Sequence, residues 1–345
     1  MTGSGTDSLP PIGWTQKYRL RLKRRRLLWQ AFRSRHQLTS LSNRTDQIRP
    51  GAILAFTTLR NEMTRLPWFF RHYRALGVDH FLIVDNGSDD GLVDYLLQQP
   101  DVSIWQTYAS YRASRYGVLW LTWLQMRYGH AHWTLTVDAD ELLIYPEHDT
   151  RPLSDLTACL ERQGRTAFGA LMLDLYPKGP LGTQDYDPET DPTRVLNWFD
   201  PGPYRVQRQS PLGNLWVQGG ARERVFFADA PRRSPTLNKL PLVRWSRRYA
   251  YVNSSHSALP RHLNAAYDGP GGDTPSGILL HTKFLPEVVD KSTSEKARGQ
   301  HFHDPDLFAT YYDAIRDQPD MWTPQSACFE GWEQMQRLGL MGKLR

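Results

Sequence analysis

From residue 52 onward, short apolar runs alternate with amphipathic stretches. Ala52 to Thr57 reads as a strand, and Thr64 to Leu76 as a helix with Pro67 in its first turn and Gly77 at its end. His80 to Val84 is a second strand, running into the turn-rich segment Asp85-Asn86-Gly87-Ser88-Asp89-Asp90-Gly91 and a short helix from Leu92 to Gln98. Val102 to Thr107 predicts a third strand, Ser114 to Tyr128 a helix, Trp133 to Val137 a fourth strand, Leu153 to Gln163 a helix and Phe168 to Leu175 a further strand. Strands and helices alternating at this spacing predict an α/β fold: a mostly parallel sheet of Rossmann type with helices on both faces.

The texture changes after residue 176. Residues 177–241 are rich in proline, with the glycine pair Gly219-Gly220, arginines and aromatic residues, including Tyr186, Trp198, Tyr204 and Trp216. A long irregular stretch inside a compact domain is commonly functional, and its aromatic content predicts an ordered lining. Gly277 to Lys283 reads as one more strand, with His281 near its end, and helical patterns follow over 286–298, 306–316 and 325–338. The organisation expected is an N-terminal arm over 1–50, a catalytic domain over 51–285 with a nucleotide-binding half at 51–176 and an acceptor half at 177–285, and a helical C-terminal cap over 286–345.

Charge alters the picture only at the N-terminus. The chain of 345 residues has a net charge of +6, yet residues 1–50 alone hold eleven Lys/Arg against Asp7 and Asp46, which leaves the remainder slightly acidic. Leu20, Leu27, Leu28, Ala31 and Phe32 recur at helical spacing among these cations. Such a helix, over residues 17–36, either lies on an anionic membrane surface or docks its apolar stripe on the main domain. Nucleic acid is not expected as a partner, because no base-stacking or groove-reading module accompanies the arm. The two cysteines, Cys159 and Cys328, are too few for a disulfide framework or thiolate cluster. With no span of about eighteen apolar residues and no apolar core of a secretion signal, a cytoplasmic protein is expected, peripheral on the inner face of the membrane if the arm binds lipid.

Candidate chemistry gathers at strand ends, where ligands of parallel sheets bind. Three polar loops fall there: 57–62, 85–91, and Asp138-Ala139-Asp140-Glu141. Two acids one residue apart at a strand end can turn toward one point and hold a hard divalent cation through oxygen ligands. A lone D-x-D is more often a solvated turn, so its weight comes from the other two loops.

The order of Arg60-Asn61-Glu62, Trp68 to Tyr73, Leu76-Gly77-Val78, Asp85 to Gly91 and Asp138-Ala139-Asp140-Glu141 resembles the family 2-like glycosyltransferases of the GT-A fold, in the bacterial branch with R-N-E and D-A-D-E motifs. The match is dense over 52–176 and thinner to about 300. The resemblance implies a nucleotide-sugar donor, UDP-hexose in particular, a divalent metal (Mn2+ or Mg2+), and a glycan or lipid-linked acceptor. It implies that Thr57, Arg60 and Glu62 line the base and ribose, that Asp85 with Ser88 or Asp89 closes over the base, and that Asp138 and Asp140 serve ribose and metal. His281 is the implied further metal ligand, with a core histidine the equal alternative. Inverting transfer needs a carboxylate base. Glu223 is the first candidate, although its arginine neighbours fit a plain ion pair equally, and Asp174 and Asp229 stand behind it. Lys239 and Lys283 are candidates to touch phosphate.

Processive synthases of that family carry Q-x-x-R-W and membrane helices. Arg244-Trp245 here lacks the glutamine, which points to transfer of single sugars. Alternatives are a degenerate glycan- or membrane-surface-binding protein that kept the fold, and a nucleotidyltransferase, the latter disfavoured because 57–62 holds no glycine. A dinucleotide-binding dehydrogenase lacks its G-x-G-x-x-G.

Overall fold

A computed structural model describes residues 9–298 and 305–344. In chain order the elements begin with α1 (Trp14–Ser34), β1 (Thr39–Ser42), β2 (Ile53–Leu59), α2 (Leu66–Ala75), β3 (His80–Asp85), α3 (Leu92–Leu97) and β4 (Val102–Gln106). There follow α4 (Val118–Tyr128), β5 (Trp133–Thr136), β6 (Glu141–Ile144), α5 (Leu153–Arg162), β7 (Ala167–Asp174), β8 (Trp198–Phe199), β9 (Tyr204–Arg208) and β10 (Leu215–Gly219). The remainder comprises α6 (Gly220–Phe226), β11 (Asn238–Arg244), β12 (Ala250–Tyr251), β13 (Ala258–Leu259), β14 (Ser276–His281), α7 (Val288–Arg298), α8 (Pro305–Arg316), β15 (Ala327–Cys328) and α9 (Trp332–Arg337).

Nine strands form one mixed sheet in the order β1-β4-β3-β2-β5-β11-β7-β14-β6. The pairings β2–β3, β3–β4, β2–β5 and β7–β14 are parallel, whereas β1, β11 and β6 run against their neighbours. Because β11 is antiparallel to both β5 and β7, those two point the same way. Six strands therefore end on a single rim. The chain is thus an α/β protein, with three antiparallel strands that the alternation of elements did not reveal.

Burial on both faces explains the near-continuous apolar strands. On one face α2, α3 and α5 bring Phe69, Phe70, Tyr73, Leu92, Leu96, Leu156 and Leu160 onto Ile53, Ala55, Phe81 and Ile83. On the other, Trp120, Leu121 and Leu124 of α4 cover Leu54, Phe56, Leu82 and Val84. The C-terminal residues Tyr311, Ile315, Met335, Leu340 and Met341 belong to the same core as α2, so the helical cap is packed into it.

Helix α1 docks. Leu20 and Leu27 pack with Ala250, Val252 and Leu259, and Phe32 meets Trp123 of α4 edge-on at 5.8 Å. No helix among the described residues is long and apolar enough to cross a membrane.

The stretch 177–241 is ordered into the antiparallel hairpin β9–β10, helix α6 and the start of β11. Pro241 lies inside β11, where the register with β7 shifts between Lys239 and Leu242. A local irregularity is where a strand interior tolerates proline.

Candidate functional site at the sheet rim

The shared direction of β2, β3, β5, β7 and β14 puts the ends of these strands side by side. Asp174 closes β7 opposite His281 of β14, and His281 faces Glu141 of the antiparallel β6. The chain turns sharply between β5 and β6, with the Glu141 amide donating to the Asp138 carbonyl at 3.1 Å, so Asp138 and Asp140 lie on the same rim.

Asp140, His281, Asp174 and Arg222 form a continuous chain of contacts. His281 Nε2 lies 3.1 Å from Asp140 Oδ2, His281 Nδ1 lies 2.6 Å from Asp174 Oδ1, and Arg222 Nε donates to Asp174 Oδ2 at 2.7 Å. Thr282 fixes the backbone here, its amide donating to the Asp140 carbonyl at 2.7 Å. Burial would raise the Asp140 carboxyl, but His281, Arg65 and Lys283 outweigh it and hold the group well below the usual carboxylate range. Burial opposes charge on the His281 imidazole too, and the carboxylates of Asp140 and Asp174 override it, raising its pKa. Asp174 is likewise kept low against burial by Arg222 and His281.

A second cluster holds Asp138. The buried Lys239 ammonium lies 3.0 Å from Asp138 Oδ2 and 2.9 Å from Glu141 Oε1. The Asp138 amide donates to Glu141 Oε2 at 3.1 Å. Burial pushes the Glu141 carboxyl up despite Lys239 beside it. Asp138 is the outward member, its side chain 53% exposed against 1% for Glu141. Lys239 therefore meets carboxylates in this structure.

The other two loops are locked to each other. Asp85 accepts from the amides of Gly87 and Ser88 at 3.1 and 3.0 Å and from Gln106 Nε2 at 2.9 Å. It is fully covered, which makes it the brace of its loop. Asn61 pairs with Asp89 in both directions, its backbone amide donates to Ser88 Oγ at 3.0 Å, and Arg60 Nη1 donates to the Asn86 carbonyl at 2.9 Å. Glu62 accepts from Arg65 at 2.9 Å and from Lys291 at 2.7 Å. Thr57 is buried, and its Oγ1 has no hydrogen-bond partner among the described residues.

Glu223 lies on α6 with both oxygens on Arg205, at 2.5 and 2.6 Å, and accepts from Ser234 Oγ at 2.7 Å. Burial acts to raise its pKa, and these hydrogen bonds reverse the shift and lower it. The rim chain of contacts thus joins Asp140, Asp174 and His281, while Asp138 sits in the neighbouring cluster and Glu223 in a separate ion pair.

Searches against protein-family models and curated proteins returned no match to this chain.

Two participants were given no role from the sequence. Arg65 is buried, reaches Glu62 and Glu287 Oε1 at 2.6 Å, and donates to the carbonyls of Thr282 and Lys283, tying α2 to the segment after β14. Arg222 became visible as a site residue only through Asp174, and Glu141, already part of the acidic loop, finds its partner Lys239 only in the fold. Pairing over such sequence separations leaves no local pattern to read.

Among the described residues no group of three or more His, Cys, Asp and Glu side chains converges as a metal cluster. The donor set nonetheless suits a hard divalent cation shared with a ligand. Asp140 offers oxygen and His281 Nε2 nitrogen at one point, and Asp174 on Nδ1 is the carboxylate that orients a ligating imidazole. Mg2+ in particular is held by one or two protein ligands together with substrate phosphates and water. Ligation by His281 requires Nε2 to give up its proton. Arg222 Nη2 is buried beside this chain without a partner among the described residues. Such an orphaned donor needs an explanation, and a polar group of a bound ligand supplies one.

Proposed function

We propose that the protein is a metal-dependent glycosyltransferase of GT-A type, moving a single sugar from a nucleotide-sugar donor, UDP-hexose in particular, to a glycan or lipid-linked acceptor. The observation that supports this most is the Asp140–His281–Asp174–Arg222 chain at the rim of an α/β sheet, beside a D-x-D turn. A bound Mn2+ or Mg2+ would offset the charge that develops on the departing diphosphate.

The protein's own residues have definable tasks in this reading. Asp140 and His281 would hold the metal, Asp174 fixes the imidazole's orientation, and Arg222 holds Asp174 while its Nη2 would be available to a polar ligand group. Asp138, outermost of the carboxylates, is positioned for the ribose, and Lys239 fixes it from below. The locked loops 57–62 and 85–91 form the wall for the base. Glu223 as base has to exchange Arg205 for the acceptor hydroxyl, because a carboxylate clamped by a guanidinium is a poor proton acceptor.

That clamp favours a second reading, a binding protein that retains donor recognition without turnover. Calorimetric titration with UDP, with and without Mn2+, followed by donor hydrolysis across a panel of nucleotide sugars, separates the two. A transferase binds UDP in a metal-dependent way and hydrolyses one donor slowly; Asp140→Asn abolishes the metal dependence, and Glu223→Gln lowers turnover without weakening binding. Metal-dependent binding with no turnover on any donor and acceptor favours the binder. Absence of nucleotide binding sinks both.

A further inference from the structure

Helix α1 has two apolar stripes: docking buries one, and the other meets the main body at Phe32 near the C-terminal end of the helix. Leu20, Leu27 and Ala31 face inward and are buried. About half a turn around the helix, Trp14, Tyr18, Leu22 and Trp29 form a second line that is 88, 61, 44 and 57% exposed. Four large apolar side chains on one face of a surface helix, with Arg25 between Leu22 and Trp29, are more than scattered exposure, and apolar surface edged by polar residues marks interaction sites.

The surroundings of this stripe specify what it meets. The helix contains eight Lys/Arg and no Asp or Glu. Its cations extend onto the main body: Lys23, already disfavoured as a charge by burial, is repelled further by Arg115, and Arg24 by Arg21, Arg248 and Arg25. Arg33 lies 5.1 Å from the Trp29 ring. A second copy of this helix would bring like charges together, so self-association is disfavoured. An anionic bilayer satisfies both halves of the surface at once. Trp and Tyr favour the headgroup level, where an apolar ring and a polar tip are both accommodated, and basic side chains are attracted to anionic lipid.

We infer that the outward stripe of α1, Trp14-Tyr18-Leu22-Trp29, is a membrane-interface anchor that lays the folded protein on an anionic lipid surface while Leu20 and Leu27 remain docked. The helix lies in the interface plane and does not insert across it. This inference is independent of the transferase reading, since none of these residues belongs to the rim site.

The test uses the full-length chain and sedimentation with vesicles of phosphatidylcholine alone or with phosphatidylglycerol at about three parts in ten. Wild type should pellet with the anionic vesicles, weakly with the neutral ones, and less as salt is raised. Replacing the stripe by Trp14→Ser, Tyr18→Ser, Leu22→Ser and Trp29→Ser together should lower the partition coefficient at least about tenfold. Circular dichroism should still report a folded protein and the thermal midpoint should fall by only a few degrees, because Leu20, Leu27 and Ala31 keep the helix docked and the replaced side chains are half to fully exposed. A separate variant with Arg21→Glu, Arg25→Glu and Arg26→Glu should lose binding to anionic vesicles alone. Wild-type pelleting by the serine variant overturns the proposal. So does failure of the wild type to bind anionic vesicles, including the cases where it instead binds duplex nucleic acid or forms a dimer that the serine variant cannot.

Discussion

Lys239 shows how much one side chain decides. Its ammonium is buried between Asp138 and Glu141, and buried charges persist only when paired. Lys239→Met should cost about 3–5 kcal/mol by leaving Glu141 uncompensated. Adding Glu141→Gln should recover a large part of that loss, which urea unfolding of the single and double variants measures; equal stability of Lys239→Met and wild type would remove the pair from the account. The sequence marked Asp138 as important and left Lys239 as a phosphate candidate, because a lysine 101 residues away carries no local sign of its partner. The same holds for Asp174, identified as a strand-end acid and found between His281 and Arg222. The residue types were legible, and the pairings were not.

At the scale of elements, the apolar runs located β2, β3, β4, β5, β7 and β14 to within a residue or two, because each is largely buried and reads as a short apolar or apolar-alternating segment between turn signals. Strands β6 and β11 escaped. β6 follows the acidic turn without a break in sequence, and Pro241 argues against a strand until the register shift beside it is seen. The junction of β2 with α4 is a further tertiary decision. Gly117, at the entry to α4, has φ +77, and a Cβ there would meet Thr58 Oγ1 at 2.6 Å. Gly117→Ala should therefore destabilise by more than about 1 kcal/mol, combining a disfavoured backbone conformation with a clash, and an unchanged thermal midpoint would show that the two elements separate freely.

Two predictions belong to the whole molecule. Deleting residues 1–37 should lower the thermal midpoint and solubility, since it uncovers Ala250, Val252 and Leu259 and removes Gln37, which accepts from Trp120 Nε1 at 2.7 Å. A truncated protein as stable as the full chain would mean that α1 contributes nothing to the fold. The second is acid sensitivity. Burial lowers His72 from 6.5 to about 4 and, together with Lys239, lowers His256 to about 3. Both groups stay neutral in the fold while the unfolded chain takes up protons near pH 6.5. Their contribution is thus complete above that pH and is lost as pH falls toward 4, at about 1.4 kcal/mol per unit for each histidine. His72→Gln should shrink the drop in urea midpoint between pH 7.5 and 5.5 relative to wild type; an identical drop would show that His72 is protonated alike in both states.

What the amino-acid order determined by itself was local: which segments are apolar enough to be central strands, roughly where the helices between them lie, which strand ends carry acids, and that the N-terminal helix is basic. These follow from periodicity and turn chemistry, which act over a few residues. The helix expected over 325–338 begins only at Trp332, after β15, and α6 had no signal. The direction of β11 and β6, the joining of Asp140 to Asp174 through His281, and whether the Leu20, Leu27 and Ala31 stripe of α1 docks or faces lipid were decided only by the tertiary structure. Each depends on groups brought together from distant parts of the chain, where burial makes a charge demand a partner and an apolar face demand a surface, and no short-range pattern encodes which one it finds.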